Sequence, residues 1–84
     1  MIALTIYTRP GCHLCDDMKA TIKRVAQALP EPLTLEEIDI SSDPDLEQCY
    51  GEQIPVLFLG GKKIAKYRIA EGDLARFLNQ EAVD

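Results

Sequence analysis

Two of the three cysteines in this 84-residue chain, Cys12 and Cys15, are separated by two residues. On a helix, residues three apart have Cβ atoms about 5–6 Å apart, so a disulfide between them can open and close with little backbone movement. A small domain cross-linked for stability normally carries a larger, even number of cysteines. The spacing therefore predicts a redox-active dithiol, and two cysteines packed together by chance are the alternative.

The surrounding sequence predicts different roles for the two sulfurs. Cys12 falls where a predicted strand ends and a helix begins, and the unpaired amide groups there stabilise an anion. A cysteine at such a place has a pKa lowered from about 8.5, and its thiolate is the nucleophile. Cys15 lies one turn further, on the apolar side of the helix. We therefore expect an exposed Cys12 that attacks a disulfide and a buried Cys15 that resolves the mixed disulfide.

Two neighbouring residues are candidates for tuning the thiolate. His13, the only histidine, can donate to the sulfur of Cys12 and so favour the reduced pair. Arg9, three residues before Cys12, can hold either the thiolate or the carboxylate of a peptide-like substrate. For both residues the alternative is a solvated side chain without a role. Asp16 and Asp17 oppose a stable thiolate.

The third cysteine, Cys49, is far from the pair in sequence. Because no cysteine is left as its partner, we expect a buried free thiol that packs as a small apolar residue, with a redox role as the alternative. No metal site is predicted within one chain, since Cys12, Cys15 and His13 fall short of the four ligands of a closed zinc site.

Apolar spacing predicts the elements that position the pair. Residues 4–7 are rich in β-forming residues and predict a buried strand, which residues 9–11 end. A helix then starts at Cys12 and is ended by residues 30–32. Its buried face is predicted from apolar residues at helical spacing: Leu14, Met18, Ile22, Val25 and Leu29.

A second strand and a short helix follow. Residues 33–40 predict the strand from their alternating apolar positions. Asp43 and Pro44 suit the first positions of a helix over residues 45–50, and Gly51 is expected to end it.

A hairpin and a last helix complete the order. The apolar run 56–59 predicts a buried strand, residues 60–61 a Gly-Gly turn, and the more polar residues 62–69 a returning strand near the sheet edge. Asp73 is expected to cap the last helix, whose apolar side carries Leu74, Phe77 and Leu78.

The order β-α-β-α-β-β-α predicts a fold of the α/β class, in a single domain over residues 1–84. The first two strands are expected to be parallel and the last two antiparallel, which gives a four-stranded mixed sheet flanked by helices.

Charge and hydropathy limit the expected partners. The net charge of −5 argues against nucleic acid and anionic membrane surfaces, which attract basic patches. The apolar stretches are far shorter than the ~18–20 residues that span a bilayer, and the start of the chain lacks a basic leader. We therefore expect a monomeric, cytoplasmic protein with no membrane or nucleic-acid partner.

Residues 6–15, Ile-Tyr-Thr-Arg-Pro-Gly-Cys-His-Leu-Cys, resemble the strand, turn and Cys-x-x-Cys motif of the glutaredoxin family within the thioredoxin superfamily. Residues 53–55, Gln-Ile-Pro, resemble its Thr-Val-Pro element. The resemblance covers essentially the whole chain and looks closest to short bacterial glutaredoxin-like proteins whose substrates are mostly undefined. It implies a thioredoxin-like, glutaredoxin-type fold and thiol–disulfide oxidoreductase activity.

The resemblance also implies a substrate site. A cis peptide bond before Pro55 would let Ile54 offer its N–H and C=O to an extended substrate, with an ordinary trans proline as the alternative. Tyr7 and Arg9 would complete the site, and Arg9 would meet the carboxylate of glutathione. The implied partners are a disulfide-containing protein and glutathione as a co-substrate, with no tightly bound cofactor.

The chain departs from the family pattern at two places. His13 and Leu14 stand where Pro-Tyr is usual, and residues 65–68 lack the two glycines that accompany the family's glutathione site. Two other functions therefore stay open. One is an iron–sulfur or metal carrier completed by dimerisation, and the other is an interaction module without redox activity.

Overall fold

The computed structural model describes residues 2–29 and 32–83, with side chains described as far as residue 79. Of the predicted helix stop at residues 30–32, Pro30 and Glu31 lie outside the described residues. The described residues form β1 (Ile2–Thr8), α1 (His13–Ala28), β2 (Leu33–Asp39), a 3₁₀ turn (Ile40–Ser42), α2 (Pro44–Tyr50), β3 (Val56–Leu59), β4 (Lys62–Lys66) and α3 (Glu71–Val83).

The strands form one mixed sheet in the order β2-β1-β3-β4. β1 pairs with β2 in parallel, whereas the β1–β3 and β3–β4 pairs are antiparallel. A parallel pair needs a crossover between its strands, and α1 supplies it. The predicted α/β architecture is confirmed, including the position of β4 at the sheet edge.

The core lies between one face of the sheet and the helices α1 and α3. Alternate residues of β1 point into it, as expected for a strand with one buried face. The fully or almost fully buried members of this cluster are Ile2, Leu4, Ile6, Met18, Ile22, Val25, Leu57, Leu74 and Leu78. Each such side chain stabilises the fold by about 1.5–3 kcal/mol relative to exposure. This packing fixes α1, and with it the cysteine pair, against the sheet.

β2 is one residue shorter than predicted. The carboxylate of Asp39 accepts a hydrogen bond from the backbone N–H of Ser41 at 2.9 Å, which turns the chain into the 3₁₀ segment. Ile40, predicted as the last strand residue, instead opens that segment and is completely buried.

α2 begins as predicted, because Asp43 accepts hydrogen bonds from the amides of Asp45 and Leu46 and Pro44 follows the cap. The helix has no buried residue, and Cys49 is exposed. The prediction of a buried Cys49 is therefore wrong: Tyr50 is the residue of the seven-residue α2 that packs against rings of the sheet, and the Cys49 position faces solvent.

The hairpin turn between β3 and β4 is built as predicted. Gly60 and Gly61 have φ angles of 57° and 89°, the left-handed values that a two-residue turn of this kind requires. These values are open to glycine at little cost because it has no Cβ.

β4 and α3 differ from the prediction at their junction. β4 ends at Lys66 instead of continuing to residue 69, because Tyr67 has a left-handed φ of 69°. α3 begins at Glu71, and its first backbone bond runs from the amide of Leu74 to the carbonyl of Ala70. The prediction of Asp73 as the cap is therefore wrong: this residue lies inside the first turn and pairs with Arg76 at 3.3 Å.

Candidate active site

Cys12 and Cys15 lie at the amino-terminal end of α1 and are joined by a disulfide, with their Cα atoms 5.2 Å apart. Cys15 is buried, with 1% of its surface exposed, and packs at the edge of the core. Cys12 is half-buried and lies at the surface end of the pair. Cys15 is thus buried as predicted, whereas Cys12, which was expected to be exposed, is half-buried.

Cys12 is the N-cap residue of α1. Its Sγ accepts a hydrogen bond from the backbone N–H of Cys15 at 3.1 Å. The sulfur thus takes the place that a serine or aspartate oxygen usually holds at a helix start. Its position at the positive end of the helix dipole favours negative charge on the sulfur. When the disulfide is reduced, a thiolate at Cys12 can accept the same amide hydrogen bond, and bonds to charged acceptors are the stronger ones.

The turn before α1 sets this position. Pro10 and Gly11 form it, and Gly11 has a φ of 79°, which glycine adopts at little cost. The turn carries the chain from the end of β1 at Thr8 to the helix cap at Cys12. Local sequence therefore places Cys12 at the end of the sheet.

His13 is the first residue of α1 and is exposed. Among the described residues, no hydrogen bond joins its side chain to another group. Asp16 and Asp17 are exposed in the first turn and a half, and Asp16 pairs with Lys19 at 3.6 Å. The tuning role of His13 stays a prediction.

Arg9 makes contacts that the sequence did not indicate. Its Nη2 donates to the carbonyl oxygen of Gly51 at 2.9 Å and lies 3.7 Å from the carboxylate of Glu47. Gly51 ends α2 as predicted, and it does so with a right-handed φ of −55°. A Cβ there would lie 2.5 Å from the Glu47 carbonyl oxygen and 3.3 Å from the Arg9 Nη2. Through its hydrogen bond to Gly51, Arg9 connects the turn before the cysteines to the end of α2.

The segment of residues 51–55, which we call the α2–β3 loop, lies at the same end of the sheet as the cysteines. The peptide bond between Ile54 and Pro55 is cis. Pro55 is buried and Ile54 is half-buried. Tyr7 of β1 is paired with Val56 of β3, so the loop enters the sheet beside the end of β1. Two of the predicted site residues, Ile54 and Pro55, are thereby brought to the end from which α1 starts.

Tyr7 packs in a cluster of three aromatic rings. Its ring centroid lies 4.9 Å from that of Tyr50 and 5.2 Å from that of Phe58. The cluster joins β1, α2 and β3 on the sheet face opposite α1. Tyr7 thus supports the base of the α2–β3 loop, and its predicted contact with substrate stays a prediction.

Tyr67 is a residue of this end of the molecule that the sequence did not indicate. Its backbone N–H donates to the carbonyl of Pro55 at 2.8 Å, and its hydroxyl donates to the carbonyl of Glu52 at 3.1 Å. Nothing in the sequence distinguishes this tyrosine from a strand residue, because its partners lie far away in the chain.

Within the described residues, no group of three or more histidine, cysteine, aspartate or glutamate side chains is placed to hold a metal ion. The same part of the chain contains no helix with the length and apolar character needed to cross a membrane.

Comparisons with known proteins agree with this geometry. A family model described as Glutaredoxin-like domain (DUF836) matches residues 3–79. The "Glutaredoxin-like protein YDR286C homolog" of Dictyostelium discoideum is 34% identical over 88 residues, which cover 95% of this chain and 82% of the relative.

Solved structures are similar over most of the chain. Protein Ne2328 from Nitrosomonas europaea has a TM-score of 0.76 and 28% identity, covering 90% of this chain and 89% of its own. Protein XcR50 from X. campestris has a TM-score of 0.71 and 28% identity, covering 92% and 96%. Chloroplastic thioredoxin z, at 14% identity and a TM-score of 0.75, covers 100% of this chain and 80% of its own and is similar in fold alone. This chain, with its thioredoxin-like fold and its cysteine pair at the start of α1, therefore belongs to the glutaredoxin-like (DUF836) family.

Proposed function

We propose that this protein is a thiol–disulfide oxidoreductase that works through Cys12 and Cys15. The observation that carries the proposal is the hydrogen bond from the Cys15 amide to the Cys12 sulfur, at the start of α1. It supports a nucleophilic thiolate at the surface, next to a second sulfur that solvent does not reach.

The proposed reaction begins with the reduced protein. The thiolate of Cys12 attacks one sulfur of a substrate disulfide, the substrate S–S bond breaks, and the leaving thiolate takes a proton. The thiol of Cys15 then loses its proton and attacks the Cys12 sulfur, which releases the second substrate thiol. Two electrons pass to the substrate, and the protein is left with the Cys12–Cys15 disulfide. The two sulfurs carry both electrons, so the reaction needs no resident cofactor.

A thiol reductant must return the pair to its reduced form. Two glutathione molecules would supply the two electrons and leave as glutathione disulfide. The family resemblance supports this reductant, whereas the contacts of Arg9 do not, because its guanidinium is already engaged by the end of α2. The proposed dithiol reaction therefore does not depend on which thiol is the reductant.

The α2–β3 loop is the proposed place for the substrate chain. Ile54 is half-buried, and it lies between Pro55 and residues that are held by other segments. Among the described residues, no hydrogen bond between segments involves the main-chain groups of Ile54, so an extended substrate can pair with them in the manner of an added strand. The proposed partner is therefore a protein that carries a disulfide in an extended segment.

Replacing each cysteine in turn tests the proposal. Cys12→Ser is expected to abolish reduction of a protein disulfide, because the attacking sulfur is removed. Cys15→Ser is expected to stop at the mixed disulfide, which mass spectrometry detects as an adduct on Cys12. Cys49→Ser is the matched control and should retain activity.

The result that would contradict the proposal is a Cys12→Ser protein with the reductase activity of the unmodified chain. A protein whose reduced cysteines exchange with no disulfide at all would instead support an interaction module without redox activity.

A further inference from the structure

Tyr67 has a backbone conformation that is unfavourable for a bulky residue. Its φ is 69°, and the amide of Arg68 donates to the carbonyl of Lys66 at 2.8 Å, which closes a three-residue turn around it. Turns of this left-handed type are rare and strained. A tyrosine keeps such a conformation only when its surroundings hold it there.

The contacts that hold Tyr67 all reach the α2–β3 loop or the neighbouring residue. The backbone N–H donates to the Pro55 carbonyl at 2.8 Å, and the hydroxyl donates to the Glu52 carbonyl at 3.1 Å. The Nζ of Lys66 lies 5.5 Å from the centre of the ring. Tyr67 as a whole remains 41% exposed, so burial does not explain its position.

These hydrogen bonds fix the loop on both sides of Ile54. Tyr67 binds the carbonyls of Glu52 and Pro55, and Arg9 binds the carbonyl of Gly51. Three of the five carbonyls of residues 51–55 are thus held by segments outside the loop. The orientation of the main chain at Ile54 follows from these anchors, because little freedom remains between them.

We propose that Tyr67 is a positioning residue, which holds the main chain of Ile54 ready to pair with an extended polypeptide substrate. This inference rests on the proposed oxidoreductase function and specifies its substrate class: disulfides within extended polypeptide, in preference to small disulfides. A small disulfide needs only the sulfur of Cys12. A polypeptide also needs an ordered main-chain segment with which it can pair. Tyr67 holds that segment in place and does not contact the reacting sulfurs.

Tyr67→Phe removes the hydroxyl and leaves the ring and the backbone bond. It is compared with Tyr50→Phe, the matched control, because among the described residues no hydrogen bond involves the Tyr50 hydroxyl. Three probes are used, all with the Cys49→Ser chain. They are a ten-residue peptide with a mixed disulfide on a central cysteine, the same peptide with N-methyl groups on the two amides flanking that cysteine, and bis(2-hydroxyethyl) disulfide.

Tyr67→Phe is expected to raise the KM for the unmodified peptide about two- to tenfold, the effect of one lost hydrogen bond, at unchanged kcat. The KM for the N-methylated peptide and for bis(2-hydroxyethyl) disulfide should not change, because neither pairs with the Ile54 main chain. An equal loss on all three probes, or no loss on any, would overturn the proposal.

A second measurement does not depend on turnover. The amide of Gln53 donates to the Tyr50 carbonyl at 2.8 Å, so its hydrogen exchange reports opening of the loop. Exchange at Gln53 should accelerate in Tyr67→Phe and also in Tyr67→Gly, which relieves the backbone strain and so folds. If hydrogen exchange at Gln53 is unchanged in both variants, Tyr67 does not stabilise the loop and the proposal is refuted. A chain that reduces none of the probes would refute the proposed function itself, while the exchange result still decides the role of Tyr67 in the loop.

Discussion

The sulfur of Cys12 has two roles: it caps a helix, and it is the proposed nucleophile. As a cap, it accepts the Cys15 amide at 3.1 Å. The polar side chains nearest to it along α1 are the exposed His13 and the exposed carboxylates of Asp16 and Asp17. The helix amides are therefore the main source of stabilisation for a thiolate at this position.

The reduced protein should show a Cys12 pKa below the ~8.5 of a free cysteine. The measurement is the rate of alkylation by iodoacetamide as a function of pH, in a Cys49→Ser chain so that the exposed third thiol does not contribute. Cys15 should react slowly at every pH, because it is buried. A Cys12 that titrates at or above ~8.5 would contradict the capping argument.

Replacing Arg9 distinguishes a structural role of its side chain from a chemical role at the thiolate. Arg9→Gln is expected to lower the free energy of unfolding by about 1 kcal/mol, through loss of the bond to the Gly51 carbonyl, and to leave the pKa of Cys12 unchanged. Urea denaturation and the alkylation profile measure the two effects.

Arg76→Gln is the control for Arg9→Gln, because Arg76 belongs to an exposed ion pair with Asp73 and its loss should change stability by less than about 0.5 kcal/mol. If Arg9→Gln instead raised the pKa of Cys12, the arginine would act on the thiolate, as one of the sequence-based hypotheses had it.

At the scale of elements, the conformations of the short α2 and of the β3–β4 hairpin depend on residues at the helix ends and at the hairpin turn. No residue of α2 is fully buried, so the helix is stabilised by the Asp43 cap at one end and by Arg9 and the ring contacts of Tyr50 at the other. The hairpin depends on two left-handed glycines, Gly60 and Gly61. Such elements are sensitive to changes at their termini and tolerant of changes along their exposed faces.

Two glycine-to-alanine substitutions should have opposite effects on stability. Gly61 has a φ of 89°, Gly72 lies in α3 without a left-handed φ, and a Cβ at either would meet no atom within 4 Å. Gly61→Ala is expected to cost about 1–2 kcal/mol because alanine is strained there. Gly72→Ala is expected to add about 0.4–1 kcal/mol by restricting the unfolded chain.

Thermal unfolding of the two glycine variants measures both effects. Because neither new methyl group has a neighbour to clash with, the backbone alone sets the sign. Equal melting temperatures in the two variants would contradict this explanation.

At the scale of the whole molecule, three distant segments meet at one end of the sheet. The turn before α1, the α2–β3 loop and the end of β4 are joined by the bonds of Arg9 to Gly51 and of Tyr67 to Glu52 and Pro55. The core beneath them consists of aliphatic side chains from β1, β3, α1 and α3. The candidate site therefore lies at the surface above a small core, so its order depends on these few hydrogen bonds between segments.

The stability of the molecule should fall in acid, in part through Asp39. Hydrogen bonds from the hydroxyl and the amide of Ser41, with the positive charge of Arg9, lower the pKa of Asp39. A carboxyl whose pKa is lower in the folded chain stabilises it above the unfolded pKa of about 3.9, and this contribution is lost as the pH falls through the folded pKa. Asp39→Asn should therefore be less stable than the unmodified chain at neutral pH, by a margin that shrinks toward pH 3.

Urea denaturation at pH 7 and at pH 3 measures the margin for Asp39→Asn. Asp45→Asn, an exposed carboxylate in the first turn of α2 whose side chain accepts no hydrogen bond among the described residues, is the control. A margin for Asp39→Asn that is the same at both pH values would show that ionisation of this carboxyl does not contribute.

The sequence by itself determined the features that depend on neighbours in the chain. The spacing of Cys12 and Cys15, the apolar periodicity of α1, the Asp43–Pro44 start of α2 and the Gly-Gly turn all involve residues within one or two turns of each other. Local sterics and hydrogen bonding decide such features, and the structure has them where the sequence predicts them.

Tertiary structure alone decided the contacts between segments. Arg9 meets Gly51 across 42 positions and Tyr67 meets Glu52 across 15, and the left-handed turn at Tyr67 exists only with these partners in place. The exposure of Cys49 likewise depends on how α2 lies against the sheet. The packing of the whole chain selects contacts of this kind. An arginine, a tyrosine or a cysteine can occupy a solvent-exposed position or a strand position, so residue type alone does not indicate its partner.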